Sequence, residues 1–181
     1  MENKAEQKGL VIVYTGDGKG KTTAALGLCV RACGYDEKIC IVQFIKGSWK
    51  YGELDGVKKL APNVELHQKG LGFVGIIDDK LHKSEHIKAA GEALEFAREK
   101  IKSAQYDIVI LDEINVAIHL ELIAVDDVLK LIDEKPELMD LVITGRNAKD
   151  EVIERADLVT EMREIKHPFR KGILAQKGID F

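Results

Sequence analysis

The residues best equipped for chemistry stand together near the start of the chain, in Thr15-Gly16-Asp17-Gly18-Lys19-Gly20-Lys21-Thr22-Thr23. The β-prone run Leu10 to Tyr14 lies directly ahead of them, and the helical pattern Thr22 to Cys33 follows. A glycine-rich turn from strand to helix aims successive backbone N–H groups inward, and the helix N-terminus adds partial positive charge, so the segment suits phosphate. Lys21 would bring a point charge to phosphate oxygens, and Thr22 a hydroxyl to a divalent cation. The strict spacing G-x-x-x-x-G-K-[ST] asks for glycine at position 15, where Thr15 stands. Gly16 comes one residue late, and Lys19 adds a second cation. A solvated glycine turn is the plainer reading. Three glycines, a Gly-Lys-Thr triplet and the strand–helix setting together weigh against it.

The second element is Ile108-Val109-Ile110-Leu111-Asp112-Glu113, an apolar strand ending in two acids. Alone, an acidic strand end is common and usually solvated. Beside the glycine loop in a parallel sheet it would place carboxylates near Thr22, and Mg²⁺ takes a few carboxylate or hydroxyl ligands, phosphate oxygens and retained water. The pair predicts a nucleoside triphosphate–Mg²⁺ site.

Elements that could position these residues alternate along the chain. Strand-like runs fall at Leu10 to Tyr14, Ile39 to Ile45, Val64 to His67, Ile108 to Leu111 and Leu141 to Thr144, with Leu158 to Met162 as a weaker edge. They are apolar at nearly every position, which suits strands covered on both faces. Helical patterns lie at Thr22 to Cys33, Ser84 to Ser103 with Ser84 as N-cap, Asp126 to Asp133 before Pro136, and Ala148 to Arg155. Such alternation predicts right-handed βαβ units and an α/β, mostly parallel, doubly wound sheet in one domain over residues 1–181, with 1–8 a short polar tail. Two segments resist assignment, Lys46 to Gly52 with Trp49, and Lys69 to Lys80 with Phe73 and Ile76. Both follow strand ends, where open α/β sheets place ligands, so either could cover one or merely pin a loop to the core.

The length of 181 residues, 45% hydrophobic and 32% charged, excludes a disordered or disulfide-scaffold protein. A net charge of −4 supplies no field for nucleic acid, so an anionic ligand must be held locally. No apolar run reaches the roughly 18–20 residues of a membrane span, and the N-terminus has no signal-peptide core. A cytoplasmic location is expected. Cys29, Cys33 and Cys40 read as reduced thiols, the first two as small apolar residues of a helix face. His67, His82, His86, His119 and His167 are scattered, and no Ser/His/Asp or Cys/His constellation is evident.

A phosphate loop specifies no reaction. A small-molecule kinase with Arg146 and Arg163 as lid cations, an ATPase and a nucleotide-dependent regulator all remain open on these motifs. Longer stretches are more specific. Thr15 to Ala25, Arg31-Ala-Cys-Gly34, Val42-Gln-Phe-Ile-Lys-Gly47 with Trp49, Gly72-Phe73, Leu111-Asp-Glu113 and Ile143-Thr-Gly-Arg146 appear in order. Lys166-His167, Ala175-Gln176 and Gly178-Ile-Asp-Phe181 follow. Over residues 9–181 the chain resembles the ATP:corrinoid adenosyltransferases of the phosphate-loop type, whose own form of the loop has this altered entry.

The resemblance implies a P-loop NTPase fold, a RecA-like three-layer sandwich, and transfer of the 5′-deoxyadenosyl group of ATP to Co(I) of a reduced corrinoid with loss of triphosphate. It implies Gly16, Asp17, Gly18, Lys19, Gly20, Lys21, Thr22, Thr23 and Arg31 for the nucleotide, with Lys21, Thr22, Glu113 and Phe73 carrying the chemistry. It gives Mg²⁺ or Mn²⁺ to Thr22 and Glu113 with Asp112 in support, and an aromatic at Phe73 below the cobalt to exclude an axial ligand. An electron donor for Co(II) and a homodimer are further expectations. Two positions depart from relatives: Gly75 stands where some carry a second aromatic, and only residues 1–8 precede the first strand.

Overall fold

The computed structural model describes residues 8–47, 50–72, 74–75, 79 and 81–181. Six strands, β1 (Val11–Thr15), β2 (Ile39–Gln43), β3 (Val64–Gln68), β4 (Ile108–Asp112), β5 (Asp140–Thr144) and β6 (Leu158–Glu161), form one sheet in the order β3-β2-β4-β5-β1-β6. Every pairing in it is parallel. Around it lie α1 (Lys21–Cys33), α2 (Gly52–Lys58), α3 (Lys83–Lys102), α4 (Ile114–His119), α5 (Val125–Asp133) and α6 (Asp150–Arg155), with a 3₁₀ turn at Pro168–Lys171.

The continuous apolar runs are explained by what covers them. Alternate strand residues point to opposite faces, and in β1, β2, β4 and β5 both faces are buried. The edge strand β3 is only half-buried and β6 is exposed along its length, against the expectation of cover on both sides. Ile12, Ile39, Ile41, Ile108, Ile110 and Val142 pack beneath Ala25, Cys29 and Ala32 of α1 and Val57 of α2. Val13, Cys40, Val42, Val109, Leu111 and Ile143 face Ala90, Ala93, Leu94, Ala97 and Ile101 of α3, with α4, α5 and α6 alongside. The small residues of α1 and α3 let both helices sit close to the sheet. Burial also pushes the Cys29 thiol up to about 12, so it behaves as an apolar side chain.

Element ends differ from expectation where local contacts take over. β2 stops at Gln43, and Phe44 and Ile45 remain buried as the chain bends away. The N-cap of α3 is His82 rather than Ser84; the His82 N–H donates to Glu85 Oε2 at 3.0 Å. α6 begins at Asp150, after Ala148 has already turned to donate its N–H to Thr15 Oγ1 at 3.2 Å. α2 and α4 were not anticipated: α2 buries only Val57, and α4 is six residues long. Among the described residues no helix is long and apolar enough to cross a membrane.

The edge strand β3 is fastened to α3 by Glu65, whose Oε1 accepts from Lys100 Nζ at 2.7 Å, Tyr106 Oη at 2.5 Å and His67 Nε2 at 2.9 Å. Burial alone would raise the Glu65 carboxyl, but these donors overcome it and hold it down at about 2. A depressed carboxylate stabilises the fold above its unfolded value near 4.5, and that contribution fades as pH falls toward 2. Glu65→Gln is therefore expected to melt below the parent at pH 7, with the gap closing between pH 4.5 and 2. Thermal melts across that range are the check, and a gap independent of pH would assign the loss to packing.

Candidate functional site

Thr15 to Lys21 make the turn from β1 into α1, and the chain following β6 lies behind it. The Gly18 N–H donates to Met162 O at 2.6 Å, and the Met162 N–H donates to Thr15 O at 2.8 Å. A Cβ on Gly16 or Gly18 would meet that Met162 oxygen at 2.5 or 2.7 Å, and Gly16 and Gly20 have φ of 92° and 113°. The glycines are thus required by the backbone packed against the loop, as well as by any ligand inside it. Lys21 is buried, and its Nζ donates to Gly16 O at 2.8 Å and Gly18 O at 2.6 Å. Its pKa is lowered, chiefly by burial; Glu113 works against this and Arg146 with it. An ammonium satisfied only by carbonyls, beside further cations, favours a polyanion.

Opposite the loop stands Asp112, 1% exposed at the end of β4. Oδ1 accepts from Thr22 Oγ1 and from Thr144 Oγ1, each at 2.8 Å; Oδ2 accepts from Gln43 Nε2 at 3.1 Å and lies 3.6 Å from Lys46 Nζ. The register explains this: Gln43 pairs with Asp112 across β2–β4, and β5, between β4 and β1, brings Thr144 alongside. Glu113 caps α4 in the left-handed region at φ 64°, its N–H donating to Thr144 Oγ1 at 2.9 Å. Burial, then the neighbouring Asp112, push the Glu113 carboxyl up. Lys46 also pairs with Glu53 and stands 5.0 Å from the Tyr51 ring. Burial would lower the Lys46 pKa, but Asp112 and Glu53 outweigh it and the net direction is up.

Comparison with known proteins now bears on this arrangement. The family model described as ATP:corrinoid adenosyltransferase BtuR/CobO/CobP matches residues 7–181. The chain belongs to this family. A corrinoid adenosyltransferase from Sinorhizobium is 43% identical, over 100% of this chain and 84% of its own length. One from Escherichia coli K12 is 36% identical, over 97% and 87% respectively. Among solved structures, a KaiC-like protein from Pyrococcus horikoshii superposes with TM-score 0.53 at 16% identity, over 88% of this chain and 75% of that one. The flagellar accessory protein FlaH of Methanocaldococcus jannaschii gives 0.55 at 13%, over 86% and 71%. At such identities the likeness is one of fold, and the fold is the RecA-like α/β sandwich of P-loop NTPases.

Within this adenosyltransferase-family chain, the fold brings Gly16, Gly18, Gly20, Lys21, Thr22, Asp112 and Glu113 together. The Thr22 hydroxyl donates to Asp112 rather than to Glu113. Thr22, Asp112 and Glu113 offer hard oxygen donors alone, a set that fits Mg²⁺ or Mn²⁺. Asp17 and Arg146 line a cavity of about 450 Å³ with Glu161, Arg163, Glu164 and Arg170. Thr23 is exposed on the first turn of α1. Arg31 is exposed in the last turn of α1, about 15 Å along the axis from Lys21 at about 1.5 Å per residue, so the helix does not carry it to the loop. Phe73, Trp49 and Ile76 lie outside the described residues. Gln43, Lys46, Glu53 and Thr144 were not anticipated as site residues. Gln43 and Lys46 sit in a family-like stretch, but only the β2–β4 register turns them toward Asp112.

Proposed function

We propose that this chain transfers the 5′-deoxyadenosyl group of ATP to Co(I) of a reduced corrinoid and releases inorganic triphosphate. Family membership supports this reading over a kinase or ATPase, and the observation that carries it into the site is the buried Lys21 inside the loop, held on the Gly16 and Gly18 carbonyls with Glu113 close enough to act on its charge. The cobalt electron pair attacks the ribose 5′ carbon. The bond from that carbon to the phosphate oxygen breaks, and its electron pair leaves on the triphosphate. Co(I) is itself a strong nucleophile, so no protein base is required. Charge accumulates on the leaving oxygen, where Lys21, Lys19 and the loop amides other than that of Gly18 would stabilise it more in the transition state than in the ground state.

Thr22 and Asp112, with Glu113 beside them, would hold Mg²⁺, which supplies further neutralisation of the phosphates. Asp112 in turn keeps Thr22 and Lys46 in position. Phe73 would serve the corrinoid side, as in the family pattern, with an electron donor maintaining Co(I). A cytoplasmic homodimer completes the reading. Leu158 and Val159 on β6, with Ile165, Phe169, Leu174 and Ile179 beyond it, are exposed apolar groups suited to a second copy.

The test is a product assay with ATP, Mg²⁺ and chemically reduced cobalamin. A light-sensitive Co–C product and free triphosphate in equal amounts are expected. ADP with phosphate would support a kinase or ATPase instead, and binding without turnover a regulator.

A further inference from the structure

The C-terminal stretch Gly178-Ile179-Asp180-Phe181 contributes to the family resemblance, yet the reaction above gives it no task. It is a built turn. Asp180 Oδ2 accepts from the Gln176 N–H at 2.8 Å, Gln176 O accepts from the Asp180 N–H at 2.8 Å, and Gly178, at φ 80°, donates to Phe181 O at 2.8 Å. The other carboxylate oxygen of Asp180 forms an ion pair with Lys19 of the phosphate loop. Phe181 ends against Gly52 at the start of α2, where an added Cβ would lie 3.7 Å from its carbonyl. The turn therefore ties the loop after β1 to the segment after β2, and those strands are separated in the sheet by β4 and β5. It spans the carboxyl edge at which Asp112 and Thr144 stand.

The two loop lysines are held differently. Lys21 turns inward onto carbonyls, while Lys19 is held at the mouth by a carboxylate from the far end of the chain. We propose that Asp180 is a positioning residue of the nucleotide site: it holds Lys19 at the mouth, and a bound triphosphate takes that ammonium from it and loosens the C-terminal turn. A one-to-one pair whose lysine is 46% exposed is weak in water. A triphosphate carries several charges and is gripped by loop amides as well, so it prevails in the competition. Once the product leaves, Asp180 recovers Lys19. Asp180 thus weakens the grip on ATP and eases the exit of triphosphate.

The inference rests on the phosphate-loop reading, so binding of inorganic triphosphate to the full chain is measured first by calorimetry; no binding would overturn that reading and this inference together. With binding established, triphosphate is expected to speed tryptic release of residues 178–181 after Lys177 severalfold, followed by mass spectrometry. Asp180→Asn keeps an acceptor for the Gln176 N–H and removes the charge. It should be cleaved rapidly with or without triphosphate, and its KM for ATP should fall severalfold while kcat does not rise. Lys19→Gln should free the turn in the same way. Cleavage unchanged or slowed by triphosphate, or a KM that stays level or rises in Asp180→Asn, would overturn the inference and leave the loop reading intact.

Discussion

Lys21→Ala is expected to lower kcat for adenosyl transfer by about 10²–10³-fold, the usual cost of removing one preorganised group from a developing negative charge. Corrinoid affinity should scarcely change. The ammonium is buried, its pKa is already pressed down by that burial, and its partners are the Gly16 and Gly18 carbonyls. A triphosphate leaving group gathers charge beside it as the C–O bond lengthens, in a place where water screens little. The substitution also leaves two loop carbonyls without their donor, so part of the loss could come from a distorted loop. Single-turnover rates at saturating ATP, together with a thermal melt, separate the two. A slow chemical step with a near-parental melting temperature supports the electrostatic role. Equal losses in turnover and in corrinoid binding would argue against it.

The strands were legible because burial on both faces leaves no polar positions to interrupt an apolar run, as at Ile39, Cys40, Ile41 and Val42. The loop was legible because backbone geometry there demands glycine at several positions at once. Short elements were obscure for physical reasons. Gly-Glu-Leu-Asp-Gly-Val-Lys reads poorly as a helix, since two glycines disfavour it and only Val57 is buried. The rest of the site was hidden by its non-local assembly. Gln43 and Lys46 reach Asp112 because β2 lies beside β4, Thr144 because β5 is inserted before β1, and Asp180 because the chain end returns to the loop. None of these adjacencies is encoded in spacing along the chain. Arg31 illustrates the converse: a motif-like residue near the loop in sequence is carried away from it by the length of α1.

Asp112→Asn is expected to cost turnover about 10²–10³-fold, more than Glu113→Gln, reversing the order that sequence assigns to the two acids. Donors converge on Asp112 from Thr22, Thr144 and Gln43, with the Lys46 ammonium close by. An asparagine can still accept from Thr22 and Thr144 through its oxygen. Its amide nitrogen would then face the Gln43 amide and the Lys46 ammonium, donor against donor, and Lys46 would keep Glu53 as its ion-pair partner. The buried mismatch should cost about 1–3 kcal/mol of stability. In Glu113→Gln the change is milder, because Thr22, Thr144 and Gln43 all keep Asp112 as their acceptor. The decisive measurement is turnover against Mg²⁺ concentration for both variants, with melts as the control for folding. Asp112→Asn should need far more Mg²⁺ and remain slow at saturation, while Glu113→Gln is displaced less. If Asp112→Asn stays within about twofold of the parent and Glu113→Gln collapses, the metal-side role belongs to Glu113, and Asp112 serves only to brace Thr22 and Thr144.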